Sequence, residues 1–348
     1  MLSREQIERS VDWLLGNSSA PVKYLTYVHL LKAAPHSKEM RELWTAVENN
    51  PDSLEIFSKQ REDGSWCAGG SWAPSPSYVP KDGCTPVSPK YVTTAWMLAI
   101  LGDMGFDFND EKVRKACEYV LTYLQPNGVL SEERNWSEKE GSDPNPRNIP
   151  CRMSIQLDAL AKVDMGKHER LKKSFDLIKR WQRDDGGWVQ EGHKDGTASP
   201  YKIWSRSCPW VTHFVTSALY HSGNPSHKDA LLKGIRFLLW HLDQKQRDEI
   251  RRFFWHGHNT VRELLIFSET DVSPAQRSVH VLLSWLDKMY RSEVGHFQYC
   301  GKSISKMKRR QDGATPQVMK YRLYHLIEDD WFTYYMTRIE SNFLTQRR

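Results

Sequence analysis

Apolar residues recur at helical spacing along most of this chain, and two kinds of segment alternate. One kind is amphipathic and ends in a glutamine turn: Gln60–Trp66 reads QREDGSW and Gln182–Trp188 reads QRDDGGW, while a third ends Gln125–Gly128, QPNG. An aliphatic residue stands four positions before each glutamine, at Ile56, Leu121 and Ile178. A weaker copy runs through Trp285, Leu286, Tyr290, Gly295 and Phe297, with Tyr in place of Gln and Phe in place of Trp. The segment Lys233–Leu238 reads as a further copy without its ending.

The other kind is apolar around most of its circumference and stops at glycine: Lys90–Gly105, Cys151–Gly166 and Cys208–Gly223; Tyr24–Ala34 and Asn259–Phe267 read as further inner helices. A helix that is apolar all round is buried, so these are expected as inner helices and the charged, glutamine-tipped ones as outer helices. Alternation of about five or six such hairpins predicts an all-α fold, an α/α toroid with two helical rings. A solenoid is the alternative, but it needs polar end caps that the pattern does not show. No alternation of period two suggests a sheet. A single domain is expected over 1–348, with 300–348 as a loop and helix closing the ring.

Loop lengths separate the two ends of such a barrel. Inner-to-outer connections are short (Gly105–Asn109, Gly166–Lys167, Gly223–Ser226), whereas outer-to-inner connections are long (Trp66–Pro89, Val129–Pro150, Trp188–Ser207). Long loops inside compact domains are uncommon unless functional or disordered, and Trp72, Tyr78, Trp136, Tyr201 and Trp204 argue against disorder here. The N-termini of the inner helices reach the same end, and their unpaired N–H groups favour an anion. Lys90, Arg147, Lys202 and Arg206 lie at or just before them, with Tyr91, Trp96 and Trp210 as apolar neighbours. The expectation is an apolar tube with a positive mouth, suited to an isoprenoid with an anionic head such as a prenyl diphosphate. The alternative is that these cations pair with loop carboxylates.

Composition adds aromatic mass, with 14 Trp and 14 Tyr in 348 residues, suited to dense helix packing or an aromatic cavity. The net charge of +6 is dispersed except at Lys306–Arg310, read as a solvated loop, so no nucleic-acid partner is expected. No run of about 18 apolar residues spans a membrane, which leaves peripheral contact open. Six cysteines without a framework spacing, behind a charged helical start, fit a reducing cytoplasm.

The Gln-x-x-Asp-Gly-x-Trp endings resemble the QW motif of squalene and terpene cyclases and of protein prenyltransferase β subunits. The resemblance covers roughly residues 5–300 and implies an α/α toroid stapled by Gln60, Trp66, Gln125, Gln182 and Trp188. As a whole the chain resembles short prokaryotic prenyltransferase or squalene-oxidase repeat proteins. The Asp-x-Asp-Asp of class II cyclases and the Asp-Asp-x-x-Asp of class I synthases are missing; Asp184-Asp185 and Asp329-Asp330 are only pairs. Protein prenyltransferases hold zinc with Asp-x-Cys and a His, and Asp82-Gly-Cys84 has that spelling, although Thr85–Pro89 separates it from the next helix.

The repeat also aligns Cys151 with Cys208, each at an inner-helix start where the dipole favours thiolate. With His256 or His258 they could hold zinc with an open position; the alternative is that both are small buried apolar residues. His213, further down the helix from Cys208, is read as a core histidine ahead of a ligand, and Cys67, Cys117 and Cys300 as structural. Without zinc, Asp158 or Asp82 would be the acid, needing a pKa raised by burial. The preferred reading is a terpenoid cyclase- or prenyltransferase-like enzyme. The alternatives are a non-catalytic lipid- or partner-binding toroid and an α/α-barrel carbohydrate-active enzyme.

Overall fold

A computed structural model of the chain describes residues 1–34, 37–66, 94–130, 149–189, 206–245, 260–298 and 329–346. They form two compact units: Lys59–His241, and Met1–Ser58 together with Leu242–Arg348. Apart from a two-stranded turn, the regular structure among the described residues is helical. The expected all-α fold of alternating inner and outer helices is what each unit shows.

In the contiguous unit, α5 (Thr94–Asp103), α7 (Ile149–Leu160) and α9 (Pro209–His221) are inner helices. Every residue from Thr94 to Leu101 is buried, which is why α5 carries no polar face. Outer helices α6 (Glu111–Leu121), α8 (Lys172–Arg180) and α10 (Lys228–Asp243) alternate with them. α6 buries Val113, Ala116, Cys117 and Val120, a stripe at three- and four-residue spacing, and leaves Glu111, Lys112 and Lys115 in water. Asp110 caps it, accepting from the amides of Lys112 and Val113 at 2.8 and 2.9 Å.

The other unit holds α1 (Arg4–Asn17), α2 (Ala20–His29), α3 (Lys38–Glu48), α4 (Pro51–Ser58), α11 (Thr260–Ser268), α12 (Arg277–Leu286) and α13 (Asp329–Gln346). Ser3 and Gln6 close a capping box that starts α1. Strands β1 (Tyr290–Arg291) and β2 (His296–Phe297) pair antiparallel, Tyr290 opposite Phe297, and form the weaker copy of the glutamine turn.

One element differs from the sequence reading. The segment Cys151–Gly166, expected as one continuous helix, leaves α-geometry at Leu160 and passes through a π-turn, Ala161–Met165, with Asp164 at φ +64°. The wider turn turns Lys162 inward, and Gly102 admits it: a Cβ there would stand 2.8 Å from the Lys162 backbone oxygen. Helix α13, read from sequence as a closing element, buries Trp331 to Thr337 without a break and Ile339, Glu340 and Phe343 beyond.

Candidate functional site

The glutamine turns are the joints that position the inner helices. Gln60 Nε2 donates to Gly64 O at 3.0 Å and to Lys112 O, in the next outer helix, at 2.8 Å. Gln182 repeats this with Gly186 O at 2.8 Å and Ala230 O at 2.9 Å. Gly64 and Gly186 take φ of +86° and +88° and lie on the same outer helices, where a Cβ would come within 2.4 Å of Lys115 O and 2.6 Å of Lys233 O. The tryptophan then hooks the following inner helix: Trp66 N–H donates to Thr94 Oγ1 at 3.3 Å, and Trp188 N–H to Thr212 Oγ1 at 3.0 Å. Trp188 is wholly buried, with Nε1 donating to Ile178 O at 2.7 Å.

The QPNG turn is wired differently. Gln125 Nε2 donates to Tyr123 O at 3.3 Å, and Gly128 O accepts from Ser174 Oγ of α8 at 2.6 Å, a bond that the QPNG spelling does not reveal.

Of the residues expected at the mouth, Asp82, Cys84, Lys90, Tyr91, Arg147, Lys202, His256 and His258 lie outside the described residues, and Cys151 and Trp210 are placed on α7 and α9 by backbone only. Trp96 is buried and meets Phe214 edge-to-face, centroids 5.7 Å apart at 88°, across α5 and α9. His213, beside Phe214 at 5.1 Å, is buried as well. Cys208 is buried at the N-cap of α9, its amide donating to Trp188 O at 2.7 Å. Arg206 is exposed and sits over the Trp240 ring, 4.7 Å from its centroid.

At the opposite ends of the same inner helices lies a polar cluster that sequence reasoning assembled only in part. Lys162 Nζ, nearly buried, bonds Asp103 Oδ1 at 2.9 Å and stands 3.9 Å from Asp158 Oδ2. Asp158 Oδ1 accepts from Ser217 Oγ at 2.7 Å and lies 3.4 Å from His221 Nδ1. Three inner helices thus bring five polar groups together in a buried setting. Burial pushes the Asp158 carboxyl up, but Lys162 opposes this, and hydrogen bonds from His221 and Ser217 add to it. The balance holds Asp158 well below the usual carboxylate range. An acid role for Asp158 needs the reverse, and these partners favour its anion. The legible signal was Asp158 and Lys162 at i and i+4 in a buried helix, with Asp103 at the end of the preceding inner one.

Among the described residues no three His, Cys, Asp or Glu side chains come together in a way that could hold a metal. Cys208 is the one expected zinc ligand whose side chain is described, and it is a buried free thiol. Among the described residues no helix is long and apolar enough to cross a membrane.

No protein-family model matches the chain, and no curated protein matches it in sequence. Solved structures do match. The structural neighbours include a type II terpene cyclase. This is MstE from Scytonema, whose apo form is 16% identical, with 84% of this chain and 81% of that one covered at a TM-score of 0.41. A variant of MstE in complex with merosterolic acid A, its product, is 15% identical and matches over 98% of this chain and 96% of its own at 0.41. A protein from Actinoplanes is 14% identical over 84% and 82%, also at 0.41. At these values the likeness gives no residue-by-residue correspondence.

Proposed function

We propose that the protein is a terpenoid cyclase- or prenyltransferase-like enzyme that takes an isoprenoid-type substrate with an anionic head. The observation that carries this reading is the edge-to-face stacking of Trp96 on Phe214 between largely apolar inner helices held by QW-type turns. Aromatic faces between helices accept a polyprenyl tail at little cost in polar desolvation. Lys90, Arg147 and Lys202, at or just before the inner-helix starts, would bind the head, with Tyr91 and Trp210 beside the tail. Arg206, with its guanidinium over Trp240, would steer the anion while shielding that ring.

The test is titration of tryptophan fluorescence with geranylgeranyl diphosphate, together with mass spectrometry of lipid carried through purification. Saturable quenching that weakens at least tenfold in Trp96→Ala, measured well below that variant's lowered melting temperature, is the expected result. Quenching only by sugar oligomers, or identical titrations for both proteins, overturns the reading.

A zinc-assisted form of the same function rests on the place of Cys208 at the N-cap of α9, where the helix dipole favours thiolate. Cys151, Cys208 and His256 or His258 would hold the ion, with Cys84 as a further ligand, and bound zinc would supply an activated thiol or water. Elemental analysis should find about one equivalent of zinc, lost in Cys208→Ser. No zinc in either protein leaves Asp82 as the candidate acid.

A further inference from the structure

The weaker copy of the glutamine turn, Tyr290–Phe297, makes the same contacts as the strong ones, but its outer helix comes from the other end of the sequence. Tyr290 Oη donates to Gln6 O of α1 at 3.3 Å, as Gln60 does to Lys112 and Gln182 to Ala230, and 284 residues of chain separate the partners. Gly295, at φ +75°, faces Arg9 of α1, where Gly64 faces Lys115 and Gly186 faces Lys233. Phe297 N–H donates to Thr333 Oγ1 of α13 at 3.1 Å, matching the tryptophan bonds to Thr94 and Thr212. Trp13 of α1 stacks on His296 of the turn, 3.9 Å between centroids and 10° from parallel. So α1 is the outer helix of a repeat whose inner helix is α13, and no short loop joins the two.

Beneath α1 the joint rests on buried acid. Glu340 of α13 is inaccessible to solvent, and its Oε2 accepts from the Leu2 amide at 2.8 Å. Asp287, just after α12, faces it and pairs with the Met1 ammonium. We propose that α1 is a releasable latch, and that the Glu340–Asp287 carboxyl pair sets how firmly it is held. In the internal repeats the outer helices follow their inner helices through short connections instead.

The direction follows from charge. Burial, then the Asp287 charge, pushes Glu340 up to about 8, against the bond from Leu2 and the Met1 ammonium. Docked α1 thus keeps a proton that an undocked Glu340 releases near its ordinary value. Docking is strongest below the ordinary glutamate range and weakens as pH rises toward about 8.

Hydrogen exchange read by mass spectrometry on the full chain tests this. Protection factors of α1 should fall between pH 6 and 8, by up to about tenfold per unit, while those of α6 and α10 hold. Glu340→Gln should make the α1 profile flat with pH; if that variant fails to fold, Asp287→Asn should shift the fall in protection to lower pH, because burial alone still raises Glu340. Tyr290→Phe should lower α1 protection about five- to tenfold at every pH, as expected for one hydrogen bond. Protection of α1 that is independent of pH, or that changes only together with α10, overturns the proposal.

Discussion

Asp158 and Glu340 are both carboxyls buried on inner helices, and their surroundings drive them in opposite directions. Asp158 has an ammonium and a hydroxyl aimed at it and stays ionised, whereas Glu340 faces a second carboxylate and stays protonated. Burial is common to both, so it is the neighbour that assigns the charge. A buried acid in an apolar helix is therefore no catalytic candidate until its partners are known.

The severest way to break the contrast is Lys162→Met. It strands two carboxylates in a buried site, and urea unfolding should register a loss of roughly 3–5 kcal/mol. Adding Asp103→Asn and Asp158→Asn should recover much of it, whereas no recovery would mean that Lys162 acts through packing alone.

The pH response sharpens the same point. Asp158, held low, contributes stability that is present above the unfolded carboxylate value and lost as pH falls through and below about 4. Glu340, held high, contributes stability that is full below its unfolded value and lost as pH rises toward about 8. Thermal melts of Asp158→Asn should have a flatter acid limb, and those of Glu340→Gln a flatter neutral-to-alkaline limb, each leaving the other limb alone.

The smallest effects belong to the threonine hooks. Thr212→Val and Thr333→Val each leave one buried amide without its acceptor, at a cost of about 1–2 kcal/mol in denaturant unfolding. Equal costs would show that the Phe297 turn is as firmly built as the Trp188 turn.

How much of this was legible depended on what repeated. Gln60, Gln182, Trp66 and Trp188 recur with their glycines, so the turns and the inner–outer alternation could be read from spelling. The Tyr290 copy was visible for the same reason, although its partner α1 was not, since no local pattern announces pairing across most of the chain. The Asp103–Lys162–Asp158 network was half visible, as charges inside apolar helices. Its sign was hidden, because that depends on the π-turn at Ala161–Met165 and on Gly102 letting Lys162 approach. The mouth residues were chosen from helix starts, and of them Trp96, Cys208 and Arg206 are described: two buried, one over an aromatic face.

The pairing of α1 with α13 also orders biosynthesis. Residues 59–241 are contiguous and can complete their hairpins as soon as they leave the ribosome, each joint closing over a short stretch of chain. Helix α1 is made first but finds Tyr290, Phe297 and α13 only when nearly everything else has been translated. Its buried stripe, Ile7, Ser10 and Leu14, must wait exposed through that interval.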